Sequence, residues 1–335
     1  MSALQILVTM PRGAVFDTFF NEALIHQLET LGTVCWNEKG RQYTHAELCR
    51  QIEAADICVT GWGTPALDAE VMRHAKRLRL LAHTGGSVSA YASAAVYEKG
   101  VCVVSGNRVF AQSVAEGVIA YALAALRRLP YYSARLAGGD WPGSFTNRGL
   151  LGRSVGIVGY GMIAQYLVGM LAPFGCPVQV YSRHITAQEL DAGQMTHASL
   201  TEIFAGCEIV SLHSGMTADN YHMITEPLLR SMRPGALLIN TARGALVDEA
   251  ALCRVLADRP DLTAVLDVYE AEPLPPDHPL TKLPNTLLMP HMGGPTIDRR
   301  PAVTQSLLAD IQNFLAGQPL SCAISESRAA KMSAY

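Results

Sequence analysis

Short apolar segments alternate with longer helical segments through most of this chain, and this alternation limits its fold more than any other feature. Helical segments such as TPALDAEVMRHAK separate the apolar ones. The apolar segments are rich in β-branched residues, and we predict strands at ILVTM, ICVTG, LRLLAH and VCVVSG, then at SVGIVGYG, VQVYS, EIVSLH, ALLIN, TAVLD and NTLLMP. The pattern is typical of parallel α/β units, with sheets that are covered on both faces.

The length of the chain predicts two domains, because 335 residues exceed the size at which one hydrophobic core usually stops growing. A long Ala-rich helix from about Gln112 to Leu136 and the loop GGDWPGSFTNRG separate two strand series. A last amphipathic helix, roughly Thr296 to Ala316, is expected to return to the first domain. We predict a discontinuous domain of residues 1–107 and 296–335, and a second domain of residues 108–295.

Composition and charge argue against several classes of partner. The net charge is −3 and no dense basic tract is present, so nucleic acid and anionic membranes are poor candidates and a small-molecule ligand fits better. No uninterrupted apolar run reaches about 18 residues, and the N-terminal segment lacks the pattern of a signal peptide, so we expect a cytoplasmic protein. The eight cysteines occur singly, which favours buried, reduced thiols and no metal site. The final stretch ESRAAKMSAY is expected to be a loose tail.

A glycine turn follows one predicted strand directly and precedes a helix directly. The strand is VGIV, the helix is IAQYLVGMLAPFG, and the turn has the pattern Gly-x-Gly-x-x-Ala. In a dinucleotide site the first glycine permits the tight turn, the second lets the backbone approach a pyrophosphate, and the small Ala164 allows helix and strand to pack closely. The free N–H groups at the helix start then bind phosphate. The candidate cofactor residues here are Gly159, Gly161, Met162 and Ile163.

The end of the next predicted strand bears on the choice between NAD and NADP. An acidic residue about 20 positions after the turn usually binds the ribose 2′-hydroxyl of NAD. This chain has Ser182 and Arg183 there. No carboxylate repels a 2′-phosphate, and the Arg183 guanidinium suits one. We therefore predict a preference for NADP, with NAD as the alternative if Arg183 is only a solvated residue.

Three residues of the C-terminal third have the chemistry needed to act on a 2-oxo or 2-hydroxy acid. They are Arg243 in INTARGALVDE, Glu272 in LDVYEAEPLP and His291 in LLMPHMGGPT. A guanidinium binds a carboxylate, and an imidazole with a carboxylate partner moves a proton. Taken singly, each residue is better explained by a surface or loop position. All three, however, follow predicted strands, where ligands bind in open α/β sheets.

Six blocks of the sequence, in this order, resemble the D-isomer-specific 2-hydroxyacid dehydrogenases. They are VAEGVIAYALAAL, GIVGYGMIAQ, VSLHSGMT, INTARGALVDEAAL, LDVYEAEPLP and MPHMGG, and the resemblance runs from about Ala55 to Gly317. It implies two doubly wound parallel-sheet domains, a flavodoxin-like substrate domain and a Rossmann cofactor domain, with a cleft between them. It also implies hydride transfer between NAD(P)H and a 2-oxo acid, or the reverse from a D-2-hydroxy acid.

The resemblance assigns roles to matching residues. It implies that His291 is the general acid in reduction, that Glu272 is its partner, and that Arg243 binds the substrate carboxylate and polarises the carbonyl. Asp267 is expected to hold the nicotinamide carboxamide. The predicted lining of the cofactor site is His213, Ser214 and Thr241. The predicted backbone donors to the substrate carboxylate, from the first domain, are Gly86, Ser87 and Val88.

The chain also departs from the family pattern. Ser214 and Gly215 replace the usual apolar-Pro pair, which bears on the shape of the cofactor site. Thr60 and Trp62 stand where phosphoglycerate dehydrogenases tend to have an arginine suited to phosphate. A substrate with an uncharged or apolar side group is therefore expected in preference to 3-phosphoglycerate; the alternative is that Trp62 is simply a core residue.

Two expectations concern assembly and function class. Family members are commonly dimers that pair through the long helix and the following loop, so Trp141 and Phe145 of that loop are candidates for a homodimer contact; local packing explains them equally well. The same fold occurs in NAD(H)-sensing corepressors that act through protein partners. That binding function is the alternative to an enzyme.

Overall fold

The structure is a computed structural model that describes residues 4–332. The chain divides into two compact units, Met1–Ala111 with Pro295–Tyr335, and Gln112–Gly294. We call them the first and the second unit. The boundary after Ala111 lies within one helix, Asn107–Leu126.

All strands of the described chain are parallel and belong to two sheets, one in each unit. The strands are β1 Gln5–Pro11, β2 Thr33–Asn37, β3 Ile57–Thr60, β4 Leu80–His83, β5 Cys102–Ser105, β6 Val155–Val158, β7 Val178–Tyr181, β8 Met195–His197, β9 Ile209–Leu212, β10 Leu237–Asn240, β11 Thr263–Leu266 and β12 Thr286–Leu288. The α-helices are α1 Ala14–Phe19, α2 Glu22–Leu31, α3 His45–Gln51, α4 Ala69–His74, α5 Ala94–Glu98, α6 Asn107–Leu126, α7 Leu129–Ala137, α8 Met162–Leu171, α9 Ala187–Gly193, α10 Leu200–Gly206, α11 Glu226–Ser231, α12 Glu249–Asp258, α13 Arg300–Leu315 and α14 Glu326–Ala329.

The first unit has a five-stranded sheet in the order β2-β1-β3-β4-β5. Successive strand residues point to opposite faces, so one strand supplies two cores. Leu7 of β1 packs with Leu48 of α3 and Val71 of α4 on one face. Its neighbour Ile6 packs on the other face with residues of α1, α2 and α13, among them Leu307. Because both faces are covered, every residue of β3 and β4 is buried.

The second unit has a seven-stranded sheet in the order β12-β11-β10-β9-β6-β7-β8. The chain runs outward from β6 to β8 and then returns to lay β9 on the other side of β6. The direction of strand addition therefore reverses between β6 and β9. In open α/β sheets, ligands bind outside the carboxyl ends of the strands at such a reversal. With the five-stranded sheet, this confirms the predicted fold of two parallel-sheet α/β units.

Two strands escaped the sequence prediction, and both lie at sheet edges. β2 alternates exposed and half-buried residues up to the buried Asn37, and β8 has three residues of which only Met195 is buried. The other two edge strands, β5 and β12, were predicted from the segments VCVVSG and NTLLMP.

The prediction of one helix from Gln112 to Leu136 was wrong. The helix starts earlier, at Asn107, and ends at Leu126; Arg128 then adopts φ 54° and α7 begins at Leu129. Pro130, in the first turn of α7, explains the break, because proline in a helix interior lacks an N–H group and clashes with the carbonyl four residues earlier.

By length and composition alone, α6 is also apolar enough to cross a membrane, with a mean hydropathy of 1.6. Core helices of globular proteins pass the same test. The residues of α6 that pack in the core of the second unit are Ala115, Val118, Ala122 and Leu126. Their spacing of three and four residues puts them on one face of the helix, which accounts for much of its apolar character.

Other corrections concern the tail and the thiols. Instead of a loose tail, Glu326–Ala329 form a short helix in which Ala329 is buried, while Ser333–Tyr335 lie outside the described residues. All eight cysteines are free, but Cys35 and Cys102 are exposed where buried thiols were expected. Both lie on strands, Cys35 on the edge strand β2 and Cys102 at the first residue of β5.

Candidate active site

The glycine turn lies at the reversal of strand order in the second unit. Gly159 follows β6 directly and has φ 95°, a backbone conformation that favours glycine. A Cβ atom there would lie 2.6 Å from both N and Oγ of Ser214, which follows β9. The His213 N–H donates to the Val158 carbonyl at 2.7 Å and fixes this approach. Only glycine therefore fits at position 159.

The start of α8 has the features of a phosphate site. Gly161 is the N-cap residue and provides no side-chain cap, so it leaves the N–H groups of the first turn to a ligand. A Cβ atom on Gly161 would meet nothing within 4 Å. Met162 and Ile163 are the first two residues of the helix, and Ala164 is fully buried against the sheet.

Two polar atoms around this turn are buried and have no hydrogen-bond partner among residues 4–332. They are Nδ1 of His213 and Oγ1 of Thr241, at the ends of β9 and β10. Burial lowers the pKa of His213 to about 4, so the ring is neutral, and its Nε2 pairs with Ser211 Oγ at 2.8 Å. Buried polar groups normally have partners. Together with the open helix start, these two atoms fit a polar dinucleotide.

The loop after β10 orients Arg243. Asn240 is 1% exposed; its amide donates to the Arg243 carbonyl at 2.9 Å, and its Oδ1 accepts the Ala242 N–H at 3.0 Å. The Arg243 guanidinium itself donates through Nη1 to the Ala242 carbonyl at 2.5 Å. One buried amide thus fixes the turn from which the half-buried Arg243 side chain projects.

Gly244 brings this loop against the loop that follows β11. A Cβ atom on Gly244 would lie 1.9 Å from the carbonyl carbon of Tyr269 and 2.4 Å from N of Glu270. Two backbone segments therefore pass each other with no room for a side chain. The contact joins the segment that carries Arg243 to the segment that carries Glu272.

Asp267 anchors the loop after β12. Its carboxylate is 1% exposed and accepts the N–H groups of Met292 at 2.8 Å and Gly293 at 2.7 Å, and the hydroxyl of Tyr121 lies 3.5 Å away. Burial raises the pKa of Asp267, and the two N–H groups oppose that rise. The carboxylate predicted to hold a carboxamide therefore also positions the backbone next to His291.

His291 and Glu272 form a direct pair. Nδ1 of His291 lies 2.6 Å from Oε2 of Glu272, and about one third of each side chain is exposed. The other oxygen of Glu272 accepts the Tyr269 N–H at 3.0 Å, and His291 has φ 52°. The Tyr269 hydroxyl donates to the carbonyls of Leu266 and Met289 and so ties the ends of β11 and β12 together. The imidazole is held in one orientation while its edge stays accessible to solvent.

The residues predicted to choose the cofactor lie at the end of β7. Ser182 is half-buried, and its Oγ accepts the His184 N–H at 3.4 Å. Arg183 is exposed and makes no hydrogen bond or ion pair with another residue of the described chain. Its guanidinium is therefore not neutralised by a neighbouring carboxylate.

The predicted carboxylate-binding loop belongs to the first unit. Gly86 and Val88 are buried, and Ser87 is half-buried. A Cβ atom on Gly86 would lie 3.3 Å from the Phe110 ring, so the loop backbone packs on that side chain. The Val88 carbonyl accepts the N–H groups of Tyr91 and Ala92. Hydrogen bonds within the loop fix its backbone.

Thr60 and Trp62 have structural partners in the same unit. Thr60 is fully buried, and its hydroxyl pairs with Nδ1 of His83 at 3.0 Å. The Trp62 ring makes edge contacts with Phe19 and Phe110, and the Arg300 guanidinium lies 5.5 Å from its centre. Trp62 is thus half-buried in an aromatic cluster.

Sequence reasoning missed the residues that hold the loops in place. Asn240, Gly244 and Tyr269 were not singled out, although all three lie inside quoted segments. Only Gly244 gave a usable signal, because a glycine next to a candidate catalytic arginine indicates a close backbone approach. The anchoring role of Asp267 depends on backbone N–H groups 25 and 26 residues later, which no local pattern marks.

Comparison with known proteins identifies the family of this chain. Residues 119–293, more than half of the chain, match the family described as D-isomer specific 2-hydroxyacid dehydrogenase, NAD binding domain. The chain is 32% identical to the glyoxylate reductase of Thermofilum pendens over 280 residues, which covers 81% of this chain and 82% of the relative. It is 31% identical over 317 residues to the D-3-phosphoglycerate dehydrogenase of Methanocaldococcus jannaschii, and there it spans 94% of its own length but 58% of the relative.

A solved structure supports the same assignment. The TT0316 protein from Thermus thermophilus superimposes with a TM-score of 0.79 at 30% sequence identity, over 96% of this chain and all of that one. The relatives named above are a reductase and a dehydrogenase, consistent with an NAD(P)-dependent enzyme. By sequence, by fold and by its nicotinamide-cofactor unit, this chain belongs to the D-isomer specific 2-hydroxyacid dehydrogenase family.

Proposed function

We propose that this protein is an NAD(P)H-dependent 2-oxoacid reductase that also works in reverse as a D-2-hydroxyacid dehydrogenase. The observation that carries the proposal is the His291–Glu272 pair at 2.6 Å, in the same unit as the Gly159 turn and its uncapped helix start. A proton donor and a dinucleotide site are the two requirements of carbonyl reduction by hydride transfer.

We assign the cofactor-binding residues to the second unit, where the glycine turn, the open start of α8 and the unpartnered buried atoms fit a dinucleotide. The N–H groups at the start of α8 bind the pyrophosphate, with Gly159 and Gly161 leaving room for it. His213 and Thr241 would hold the rest of the cofactor through their unpartnered buried atoms. Ser214 and Asp267 would add contacts from the ends of β9 and β11. When bound, the nicotinamide cofactor supplies or accepts the hydride.

His291 gives the proton to the carbonyl oxygen in reduction and takes it back in oxidation. Its Nδ1 is committed to Glu272, so we assign the transfer to Nε2. Glu272 holds the ring in one tautomer and one orientation, and Tyr269 N–H fixes Glu272 in turn. Such positioned acid–base groups contribute typically about 10²- to 10⁴-fold to rate.

Arg243 binds the substrate carboxylate and polarises the carbonyl. Its planar guanidinium offers parallel N–H donors that match a carboxylate. Asn240 fixes the backbone from which it projects, and Gly244 fixes that backbone relative to the Glu272 segment. Backbone N–H groups at Gly86, Ser87 and Val88 supply further donors to the carboxylate.

We propose NADP as the preferred cofactor. The support is the exposed, unneutralised Arg183 next to Ser182, where an acidic residue would repel a 2′-phosphate. The substrate is a 2-oxo acid whose side group is uncharged or apolar. The support is Thr60 and Trp62, which place a buried hydroxyl and an aromatic cluster where a phosphate-binding arginine would otherwise stand.

We also propose that the protein is a cytoplasmic homodimer. The second unit has several large apolar side chains exposed on α7 and the following loop, with Trp141 77% and Phe145 66% exposed. Exposed aromatic clusters of this kind mark protein interfaces. Sedimentation of the Trp141→Ser, Phe145→Ser double variant tests the dimer, which should dissociate to monomers.

A panel of 2-oxo acids tests the function. Glyoxylate, hydroxypyruvate, pyruvate, a bulkier 2-oxo acid and 3-phosphohydroxypyruvate are each incubated with NADPH and with NADH, and absorbance loss is followed. We expect turnover of at least one acid whose side group is uncharged, faster with NADPH, and little with the phosphorylated acid. Cofactor binding without turnover of any acid would reject the enzyme and favour an NAD(H)-sensing binding protein.

A further inference from the structure

A group of unlike metal ligands lies on the first unit, apart from all residues assigned above. His45 and Cys49 are on α3, and Glu70 is on α4. One nitrogen, one sulfur and one carboxylate oxygen from these residues lie within 4.8 Å of one another. His45 Nδ1 is 4.0 Å from Cys49 Sγ and 4.0 Å from a Glu70 oxygen.

The local sequence explains why these side chains meet. Residues 45 and 49 are four apart and therefore neighbours on one face of α3. Leu48 of α3 and Val71 of α4 are both buried in the same core, which brings the two helices together. Cys49 is 6% exposed, while Glu70 is exposed, so the group lies at the rim of that core.

Asp68 orients the imidazole toward the other ligands. Its Oδ2 lies 2.8 Å from Nε2 of His45, and its Oδ1 accepts the N–H groups of Glu70 and Val71 at the start of α4. When the Nε2–H group of His45 donates to this carboxylate, the lone pair of the ring is on Nδ1, which faces Cys49 and Glu70. A carboxylate behind a metal-binding histidine is the usual support of such ligands.

The first unit offers a comparison for this arrangement. His74 pairs with Glu53 at 3.1 Å, and within residues 4–332 that pair belongs to no group of three ligands. A simple surface pair uses one imidazole nitrogen and one carboxylate. His45 instead has a carboxylate on one nitrogen and two further ligand types on the other.

We propose that His45, Cys49 and Glu70 bind one Zn²⁺ ion or a similar borderline divalent cation. Imidazole, thiolate and carboxylate are the three side-chain ligands that zinc takes in proteins. Three protein ligands leave a fourth tetrahedral position for water. Binding replaces the S–H bond of Cys49 by a Zn–S bond and releases one proton to solvent.

The distances suit zinc after a small movement. Zinc bonds of about 2.0 to 2.3 Å place tetrahedral ligands roughly 3.3 to 3.8 Å apart. The two 4.0 Å separations exceed this by a few tenths of an ångström, and the third pair, Cys49 with Glu70, lies within 4.8 Å, so it must close by up to about 1 Å. His45 and Glu70 have 39% and 57% of their side chains exposed and can rotate inward.

Two carboxylates, Glu70 and Asp68, lie near the Cys49 thiol, and a bound cation would offset their negative charge. Burial, then the charges of Glu70 and Asp68, raise the pKa of Cys49, with Arg73 opposing. A bound ion would join α3 to α4 and so stabilise the first unit, with no part in proton or hydride transfer.

Metal titration of untagged, chelator-stripped protein tests the site. With ZnCl₂ and calorimetry we expect one ion per chain. Cys49→Ser and His45→Gln should each weaken binding by more than tenfold, and Asp68→Asn, which keeps the helix cap, by about 10- to 100-fold. Cys102→Ser, an exposed thiol of the same unit, is the matched control and should bind as the parent does. Absence of stoichiometric binding, or unchanged binding by Cys49→Ser, would overturn the proposal.

Cobalt gives a second readout, which identifies the thiolate ligand directly. Co²⁺ should produce a thiolate-to-metal charge-transfer band that Cys49→Ser abolishes and Cys102→Ser retains. A band that survives Cys49→Ser would place the ion on another thiol and reject the site. Circular dichroism checks that each variant folds. Removal of metal with a chelator should leave reductase activity unchanged. The metal-site proposal and the proposed function can therefore fail independently of each other.

Discussion

Each unit anchors a loop with a buried aspartate, but only in the second unit does that loop carry a candidate catalytic group. In the first unit, Asp310 accepts the N–H groups of Ser321 and Cys322 at 2.8 and 2.7 Å. In the second, Asp267 does the same for Met292 and Gly293, next to His291. Both carboxylates are almost completely buried, at 0% and 1% exposure. A buried aspartate that accepts two loop N–H groups is therefore a structural feature, and only the side chains of the loop decide whether it bears on function.

The strand ends of the two sheets differ in the same way. In the first unit they hold neutral groups such as the buried Thr60–His83 pair. In the second they hold Arg243 and the solvent-accessible His291–Glu272 pair. Of the two sheets, only that of the second unit therefore carries a candidate proton-transfer pair at its strand ends, because its ionisable groups there are exposed.

The largest expected effect is on kcat, and it should distinguish the His291–Glu272 pair of the second unit from the His74–Glu53 pair of the first. His291→Gln should lower kcat for 2-oxoacid reduction by about 10²- to 10⁴-fold, since the acid–base group is lost, while cofactor affinity measured by fluorescence stays unchanged. His74→Gln removes the surface pair with Glu53 in the first unit and should leave kcat unaffected. Equal effects of the two variants would contradict the assignment of His291.

The close approach at Gly244 is the next test. Gly244→Ala places a methyl group 1.9 Å from the Tyr269 backbone, so the two loops must separate. We expect a loss of several kcal/mol in unfolding free energy by urea titration, or failure to fold. Gly169→Ala, in the interior of α8 with nothing within 4 Å, should instead stabilise by roughly 0.5 to 1 kcal/mol. A stable, active Gly244→Ala variant would show that this contact does not position Arg243.

The two aspartate anchors give a matched pair of variants. Asp267→Asn and Asp310→Asn each turn an amide N–H₂ group toward a backbone N–H, and each should cost about 1 to 3 kcal/mol of unfolding free energy. Only Asp267→Asn should also lower kcat, because it loosens the loop of His291. If Asp310→Asn were fully folded and still lost activity, the two aspartates would not differ in function as predicted.

Buried histidines should make stability fall in acid. Burial lowers the pKa of His83 to about 3 and that of His213 to about 4, from an ordinary value near 6.5. Between those values the unfolded chain binds protons that the folded chain does not, so stability is full above pH 6.5 and declines as the pH falls toward 4.

Replacement of one of them measures the effect. At pH 5 each histidine accounts for roughly 2 kcal/mol of the loss relative to neutral pH. His83→Gln should therefore show a smaller decrease in unfolding free energy between pH 7 and pH 5 than the parent, whereas the exposed His26→Gln should match the parent. An unchanged decrease in His83→Gln would mean that His83 is protonated in the folded state.

The smallest expected effect concerns the cofactor. Arg183→Ala should reduce kcat/KM for NADPH by about tenfold, the loss of one charge-assisted contact of about 1.4 kcal/mol, and leave NADH unchanged. For Arg183→Lys, kcat/KM for NADPH should lie between the values of the parent and of Arg183→Ala, since lysine keeps the charge but lacks the planar guanidinium. A parent enzyme that uses NADH as well as NADPH would refute the preference.

Much of the fold was predictable because central strands and the glycine turn leave local signals. All ten predicted strands are present, whereas β2, which is mostly exposed or half-buried, and β8, which has three residues, were missed. The position of Gly159 was readable for the same reason, since a tight turn between strand and helix needs glycine at a fixed place. The break before α7 was missed because Pro130 was not weighed against an Ala-rich, otherwise helical segment.

The sequence by itself determined the two parallel α/β units, the glycine turn and the identity of the candidate catalytic groups, because these depend on residue type and on neighbours along the chain. Only the tertiary structure decided that Nδ1 of His291 meets Glu272, that Asp267 ties down the backbone beside it, and that Gly244 lies against Tyr269. Those contacts join residues 19 to 26 positions apart. They depend on parallel strands whose carboxyl ends share one edge of the sheet, which no local pattern encodes.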